Sequence, residues 1–151
     1  MTLKAFVIQP EQRSRVLRPL RDEKITVLVS KQETQGYEVF LQEGLPHSGP
    51  RLHSHDRDET FYVIEGDLSF TMNGEEQSAK EGTLVHFPAG TIHNFKFGEN
   101  GGKMISITGQ GSNASTLFTA TDAENSKEQP SQEKLMSIIA MHGLHIPEEN
   151  Q

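Results

Sequence analysis

The chain has 151 residues, a net charge of −7 at pH 7 and no cysteine, and 33% of its residues are hydrophobic. This length fits one domain with one core. The negative charge argues against a nucleic-acid partner, since no basic stripe can neutralise phosphates, and against docking on anionic membranes. Without cysteine no disulfide can form, a cytoplasmic location is the default, and any metal site must use His, Asp or Glu.

The predicted elements begin after an N-terminal extension at residues 1–22. From residue 24 onward, short apolar runs follow one another, each bounded by Gly, Pro, Asn or Asp. Asn73-Gly74 is a strong signal for a two-residue hairpin, and GENGG at 98–102 predicts another turn. Such a succession of short strands predicts an all-β sandwich or barrel over residues 23–110. The runs lie at residues 24–31, 36–43, 51–55, 59–64, 67–72, 83–87, 92–97 and 103–108.

Two segments after the barrel have a different character. Residues 111–130 are rich in Ser, Thr, Asn, Asp and Glu, and they predict a polar surface connection. Residues 131–151 predict a C-terminal helix and a tail that frays from Pro147. Ser131 fits the N-cap of this helix and Gly143 fits its end. Four residues recur at helical spacing on one face, namely Leu135, Ile138, Ile139 and His142.

His53 and His55 are the first residues that point to chemistry. Side chains two apart on a strand face the same side, so both imidazoles can reach one point inside a barrel. Glu59 opens the next run, and His93 follows a predicted turn far along the chain. A lone His-x-His is more often structural, but three imidazoles and one carboxylate form a site for one divalent transition metal ion per chain. These ligand types suit iron, manganese, nickel, cobalt, copper or zinc, and the sequence does not choose among them.

The spacing around these residues resembles two motifs of the cupin superfamily. The first, G-x5-H-x-H-x3,4-E-x6-G, is matched by His53, His55, Glu59 and Gly66, and the second, G-x5-P-x-G-x2-H-x3-N, by Gly82, Pro88, Gly90 and His93. The chain departs from the family where His47 replaces the first glycine and Phe97 replaces the last asparagine, and neither position is a metal ligand in the family. The resemblance implies an all-β fold: a single cupin barrel (a double-stranded β-helix or jelly roll) with a C-terminal α-helix. It also implies the metal ligands His53, His55, Glu59 and His93.

Five further residues are expected to line a substrate pocket, namely Arg51, Phe61, Val63, Phe95 and Phe97. Arg51 shares a face with the two histidines and could hold an anionic group, although a salt bridge at the rim is the favoured reading. Phe61 and Val63 share a face with the glutamate, and they either line a cavity or fill the core. The aromatic side chains indicate a small-molecule substrate of aromatic or apolar character.

Within the superfamily, the chain resembles small single-domain quercetinase-like proteins, which use oxygen to open the ring of a flavonol. The resemblance implies a metal-dependent dioxygenase acting on a flavonol-like or aromatic enol substrate. Glu59 is then the catalytic residue, and it either ligates the metal or accepts the proton of a substrate hydroxyl. Because one fold hosts many activities, a non-oxidative isomerase or decarboxylase and a metal-stabilised binding module stay open. The extra N-terminal strand indicates a homodimer formed by strand exchange or sheet packing.

Overall fold

The computed structural model describes residues 3–148, and these form an antiparallel β-structure followed by two helices. A 3₁₀ turn lies at Pro10–Gln12 and a single helical turn, α1, at Lys31–Thr34. The strands of the described residues are β1 (Val16–Leu17), β2 (Glu23–Val29), β3 (Glu38–Gly44), β4 (Glu59–Met72), β5 (Glu75–Lys80), β6 (Leu84–Phe87) and β7 (His93–Thr108). They pair in the order β1-β2-β3-β7-β4-β5, with β6 on β4. The predicted all-β class is confirmed.

Two long strands carry most of the sheet. Residues 59–72 form one strand, β4, and residues 93–108 form another, β7, where the sequence predicted four shorter strands. The register of their pairing shifts on either side of Gly66, whose φ is +73°. A Cβ at that position would collide with the carbonyl oxygen of Gly101. The predicted turn at 98–102 is therefore an irregular stretch inside β7, where glycines let paired strands bend without ending.

The hairpin predicted at Asn73-Gly74 joins β4 to β5. Met72 pairs with Glu75, and both turn residues have positive φ values, 50° and 85°. These values match the turn type that Asn-Gly favours in two-residue hairpins. Residues 51–55, which were predicted to be a strand, are instead an extended segment held by isolated bridges, one of which joins His53 to His93.

The inner faces of the strands form a tightly packed core. The main cluster consists of Phe61, Val63, Leu68, Phe70, Ala79, Val85, Phe87, Phe95, Phe97 and Met104. A second cluster consists of Ile25, Val27, Phe40 and Ala114, with Leu17 and Phe118 packed against it. Burial of such side chains stabilises the fold by about 1.5–3 kcal/mol each. The second cluster joins the sheet to the helical part of the chain.

A helix, α2 (Ala114–Asn125), occupies most of the segment predicted to be a polar connection. Its buried face includes two polar residues, Thr121 and Glu124, so its composition gave no amphipathic pattern. The buried Glu38 accepts hydrogen bonds from the Ser112 hydroxyl and the Ser115 backbone N–H, which ties the start of α2 to β3. Tertiary hydrogen bonds thus place this helix where local propensity does not predict one.

The predicted C-terminal helix, α3 (Gln132–Met141), is confirmed. The Ser131 hydroxyl accepts a hydrogen bond from the Lys134 N–H, and Gly143 follows the helix with φ +76°. Beyond α3 the chain returns to the barrel, where Ser54 and His145 exchange backbone hydrogen bonds of 2.8 and 2.9 Å. Residues 1–2 of the N-terminal extension and residues 149–151 of the tail lie outside the described residues.

Candidate metal centre

Three chain segments bring the four predicted ligands together. His53 and His55 lie on the extended segment before β4, Glu59 is the first residue of β4, and His93 is the first residue of β7. His53 and His93 exchange backbone hydrogen bonds of 3.0 and 2.9 Å. Because this pairing fixes the backbone under both imidazoles, sheet register places the ligands, although His93 lies far from the others in sequence.

The ligand atoms of the cluster converge. One atom from each of the four side chains lies within 4.8 Å of the corresponding atoms of the others, and all four residues are buried. Glu59 Oε2 lies 2.8 Å from His55 Nε2 and 3.2 Å from His93 Nε2. The ring centroids of His53 and His93 are 4.4 Å apart, and the His93 ring stacks on Phe87 at 4.2 Å.

Backbone carbonyls orient the three imidazoles. His53 Nδ1 lies 2.7 Å from Arg51 O, His55 Nδ1 3.0 Å from Arg57 O, and His93 Nδ1 2.9 Å from Thr91 O. An Nδ1–H that donates to each carbonyl leaves the Nε2 lone pair directed at the cluster, which is the arrangement of metal-ligating histidines. Three lone pairs and a carboxylate then face one another, and a cation between them satisfies all four. The donor set therefore fits one metal ion.

The electrostatic environment keeps His53 and Glu59 in the forms that bind a metal. Burial, together with the neighbouring His93, lowers the pKa of His53 to about 4, so this imidazole is neutral at pH 7. Burial alone would raise the pKa of Glu59, but the close approach of the His55 and His93 rings to this carboxylate outweighs it and lowers the pKa. Glu59 is therefore a carboxylate at neutral pH. Neutral imidazoles and an anionic carboxylate are the protonation states that bind metals.

A cavity of about 390 Å³ opens next to the cluster. Its outer wall is mostly apolar and is built largely by the helices and the C-terminal segment, while its inner end carries His53, His55 and Glu59. Small-molecule sites commonly combine an apolar wall with a few polar groups in such a volume. The apolar wall consists mainly of Pro19, Leu20, Ile25, Phe95, Leu117, Phe118, Leu135, Met136, Ile139, Leu144 and Ile146.

The predicted pocket residues divide into two groups. Arg51 and Phe95 line the cavity. Phe61, Val63 and Phe97 belong to the main core cluster, where each is 1% exposed. These three side chains were predicted to line the pocket, but they fill the core instead. Alternation along a strand tells which side chains point inward. It does not tell how far along the barrel each one lies, and these three are not among the residues that line the cavity.

Polar residues of the cavity that the sequence did not predict include the buried Glu23, Gln42 and Arg57. A signal for two of them existed. Arg57 falls on the same alternating positions as His53, His55 and Glu59, all of which are buried. Glu23 alternates in the same way with the buried Ile25. Charged residues at strand ends usually lie in solvent, so neither residue stood out without the tertiary structure.

Comparison with known proteins agrees with this geometry. Residues 39–107 match the family described as Cupin domain. Over 105 residues the chain is 25% identical to quercetin 2,3-dioxygenase of Bacillus subtilis (strain 168), a stretch that covers 68% of this chain but 30% of that protein.

None of the helices in residues 3–148 is long and apolar enough to cross a membrane.

Solved structures share the fold at low sequence identity. An RmlC-like cupin from Shewanella frigidimarina NCIMB 400 aligns with a TM-score of 0.64 at 16% identity, over 76% of this chain and 98% of that one. Oxalate decarboxylase from Bacillus subtilis aligns with a TM-score of 0.58 at 18% identity, over 74% of this chain and 32% of that one. The match to the Cupin domain family over residues 39–107 and the fold shared with these structures agree with the four-ligand cluster, a buried site that can hold one metal ion.

Proposed function

We propose that the protein is a metal-dependent dioxygenase acting on a flavonol-like or aromatic enol substrate. The observation that carries this proposal is the cluster of three histidines and Glu59 at the inner end of a cavity with an apolar wall. The similarity to quercetin 2,3-dioxygenase supports the substrate class. Because the matched stretch is 30% of that relative, the activity of this chain is a proposal that needs its own test.

His53, His55, His93 and Glu59 would hold the ion, which supplies Lewis acidity that lowers the pKa of a bound hydroxyl. The two oxygens of Glu59 have different surroundings. Oε2 faces His55 and His93, whereas Oε1 has the Ser106 hydroxyl 3.5 Å away. Oε2 would therefore hold the ion, and Oε1 would be the atom that accepts a proton from the substrate. Glu59 is the only anionic side chain of the four, so this role falls to it.

The cavity wall contributes binding and exclusion of water. Phe95 and the apolar side chains of α2 and α3 offer a surface against which a flat ring can lie. Burial of such a ring contributes about 25 cal/mol per Å² of apolar surface removed from water. A wall of this kind also keeps bulk water from the carboxylate, which preserves its ability to take a proton from the substrate.

The first experiment is elemental analysis of protein purified without chelators, followed by oxygen-uptake assays with a flavonoid panel. We expect about one ion of iron, manganese, nickel, cobalt, copper or zinc per chain, since all suit this donor set. We expect oxygen consumption with at least one flavonol. Absence of uptake with every redox-active metal loaded would reject the dioxygenase.

A second candidate is a non-oxidative isomerase or decarboxylase. It is favoured by Glu23, Gln42 and Arg57, which make the inner end of the cavity more polar than an aromatic substrate alone requires. Metal-dependent turnover in the absence of oxygen would select this candidate. Ligand binding without any turnover would leave a metal-stabilised binding module.

We also propose that the protein is a cytoplasmic homodimer. The outer face of the sheet exposes a row of apolar side chains, and Tyr62 pairs directly with Leu84 across β4 and β6. Neighbouring exposed side chains are Ile64 and Ile107, and contiguous apolar surface of this kind marks interaction sites. Light scattering should give twice the chain mass of 16.9 kDa. Leu84→Glu should give the monomer mass, and a monomeric wild type would reject the dimer.

A further inference from the structure

Two buried side-chain atoms in residues 3–148 have no hydrogen-bond partner, Glu23 Oε1 and Arg57 Nε. Both residues line the cavity beside the metal centre. Glu23 is 2% exposed and Arg57 is 7% exposed. A buried polar atom without a partner costs about 1–3 kcal/mol, so native proteins rarely keep one unless it serves a ligand. Two residues with such atoms line the same cavity, which indicates a ligand that satisfies both.

Glu23 lacks the hydrogen bonds that hold a structural carboxylate in place. The buried Glu38, on the neighbouring strand, accepts hydrogen bonds from Ser112, Ser115 and Lys31. Glu23 Oε1 has none of this support. Burial, with a smaller contribution from the charge of Glu59, raises the pKa of Glu23 to about 8. A carboxyl group in this state can both accept a hydrogen bond and donate one.

Arg57 is held at one end only. Its Nη1 donates to Asn113 Oδ1 at 2.9 Å, and Asn113 in turn donates to the carbonyl of His142. This chain of contacts anchors the guanidinium to the segment that follows α3, while Nε–H is left to donate elsewhere. A guanidinium fixed in this way loses little further freedom when it binds an acceptor.

We propose that Glu23 and Arg57 determine substrate specificity by binding oxygen substituents that lie away from the metal-binding end of the substrate. The ligand class is a flat apolar molecule with at least two additional hydroxyl groups, of which one is bound by the Glu23 carboxyl and one accepts from Arg57 Nε–H. This inference rests on the proposed function for the aromatic nature of the ligand. The two residues act in binding, and the ligand oxygens that the metal holds are separate from those that they bind.

Two probes isolate this effect. Quercetin and 3-hydroxyflavone share the 3-hydroxy-4-keto unit that binds a metal, and they differ in the four hydroxyl groups that quercetin carries in addition. Dissociation constants are measured by fluorescence titration on Zn²⁺-loaded protein, because zinc has no redox chemistry and turnover cannot interfere. The change in the ratio of the two dissociation constants between wild type and variant then reports recognition of the additional hydroxyls by the substituted residue.

Glu23→Met removes the carboxyl and keeps the length of the side chain. We expect this variant to lose about 10-fold of the preference for quercetin, while 3-hydroxyflavone binds as before. Arg57→Met should lose a similar factor. Glu23→Gln, which keeps an acceptor and a donor, should restore most of the preference. Glu23→Ala replaces Glu23→Met in this test if the latter does not fold.

Thermal unfolding without ligand separates a binding role from a structural one. Since Glu23→Met removes a buried atom that has no partner, its melting temperature should rise by about 2–8 °C. The matched control is Glu38→Gln, which should lower the melting temperature and leave the probe ratio unchanged. A wild type without preference for quercetin, or a ratio unchanged within about twofold in both Met variants, would overturn the proposal.

The result is also distinct from that of the dioxygenase assay. A shifted ratio without any oxygen uptake would support these binding roles and reject the proposed activity. Oxygen uptake with an unchanged ratio would support the activity and reject the roles of Glu23 and Arg57.

Discussion

The metal cluster and the helical cover of the cavity are held in place by different kinds of contacts. The cluster stands on paired backbone, where His53 and His93 exchange two hydrogen bonds and Glu59 begins the longest strand pairing of the fold. The cover consists of α2, α3 and the segment after them, and none of the residues of α3 is fully buried. Elements with few buried contacts open more readily than core strands.

This difference separates two tasks. The sheet fixes the groups that bind the metal, which must be placed to within a fraction of an ångström. The cover supplies the apolar wall, and it is joined to the barrel by the apolar cluster that contains Ala114 and by polar contacts such as the bridge between Ser54 and His145. Loss of an imidazole from the cluster should therefore abolish metal binding, whereas substitutions in the cover should change ligand affinity and leave the metal in place.

The largest effect is expected for His55→Ala. It removes an imidazole from a four-ligand set, and we expect the metal content to fall from about one ion per chain to nearly none. The barrel should still fold, because its core consists of apolar side chains elsewhere. Elemental analysis and circular dichroism check both statements. The matched control is His86→Ala, since His86 is an exposed histidine on β6. Full metal content in His55→Ala would show that the cluster is not the site.

Glu59→Gln should separate binding from turnover. The amide can still face the cluster but cannot take a proton from a substrate hydroxyl, so turnover should fall by about 10²–10⁴-fold. Affinity for 3-hydroxyflavone should change much less. Steady-state oxygen uptake and fluorescence titration give the two quantities. Equal losses in both would mean that Glu59 acts only as a ligand.

The sequence predicted the cluster because its signals are local. Alternation along one extended segment places His53 and His55 on one face, and the motif spacing adds Glu59 and His93. The same alternation places Phe61 and Val63 inward, yet it cannot tell a cavity wall from a core. Depth along the barrel depends on how neighbouring strands pair, and the pairing of β4 with β7 shifts twice near Gly66.

The cover was harder to predict because its helices differ in their local signals. Ser131 and the spaced apolar residues of α3 predicted that helix. In α2, the buried face includes two polar residues, Thr121 and Glu124. Thr121 donates to the carbonyl of Leu117 in the same helix, and Glu124 accepts from the backbone N–H of Ser131 just before α3. Buried polar residues of this kind give no apolar pattern for a sequence to reveal.

A substitution on the cover tests the other half of the comparison. Ile139 on α3 lines the cavity, and Ile139→Ala should weaken binding of 3-hydroxyflavone by about 5–30-fold through lost apolar contact. The metal content should stay at the wild-type value. Met141→Ala is the control on the same helix, because Met141 is 79% exposed. Loss of metal from the Ile139 variant would mean that cover and cluster are coupled.

The smallest effect is expected where the two regions join. Glu38 on β3 holds the start of α2, and Glu38→Gln weakens two charge-assisted hydrogen bonds at once. We expect a loss of about 1–3 kcal/mol in the free energy of unfolding at pH 7, measured by urea titration. Metal content should not change. The control is Glu43→Gln, whose salt bridges are partly exposed and should contribute at most about 1 kcal/mol.

The pH dependence of this loss has a defined sign. Burial alone would raise the pKa of Glu38, but hydrogen bonds from Ser115 and Ser112 outweigh it and lower the pKa below 4.5. A carboxyl group whose pKa is lower in the folded state stabilises the protein above its unfolded pKa, and this stabilisation disappears as the pH falls through the folded value. The difference between wild type and Glu38→Gln should therefore be constant above about pH 5.5 and shrink below pH 4.5. A difference that grows on acidification would show that Glu38 is protonated in the folded protein, and the cover would then be joined to the sheet by apolar packing instead of by this carboxylate.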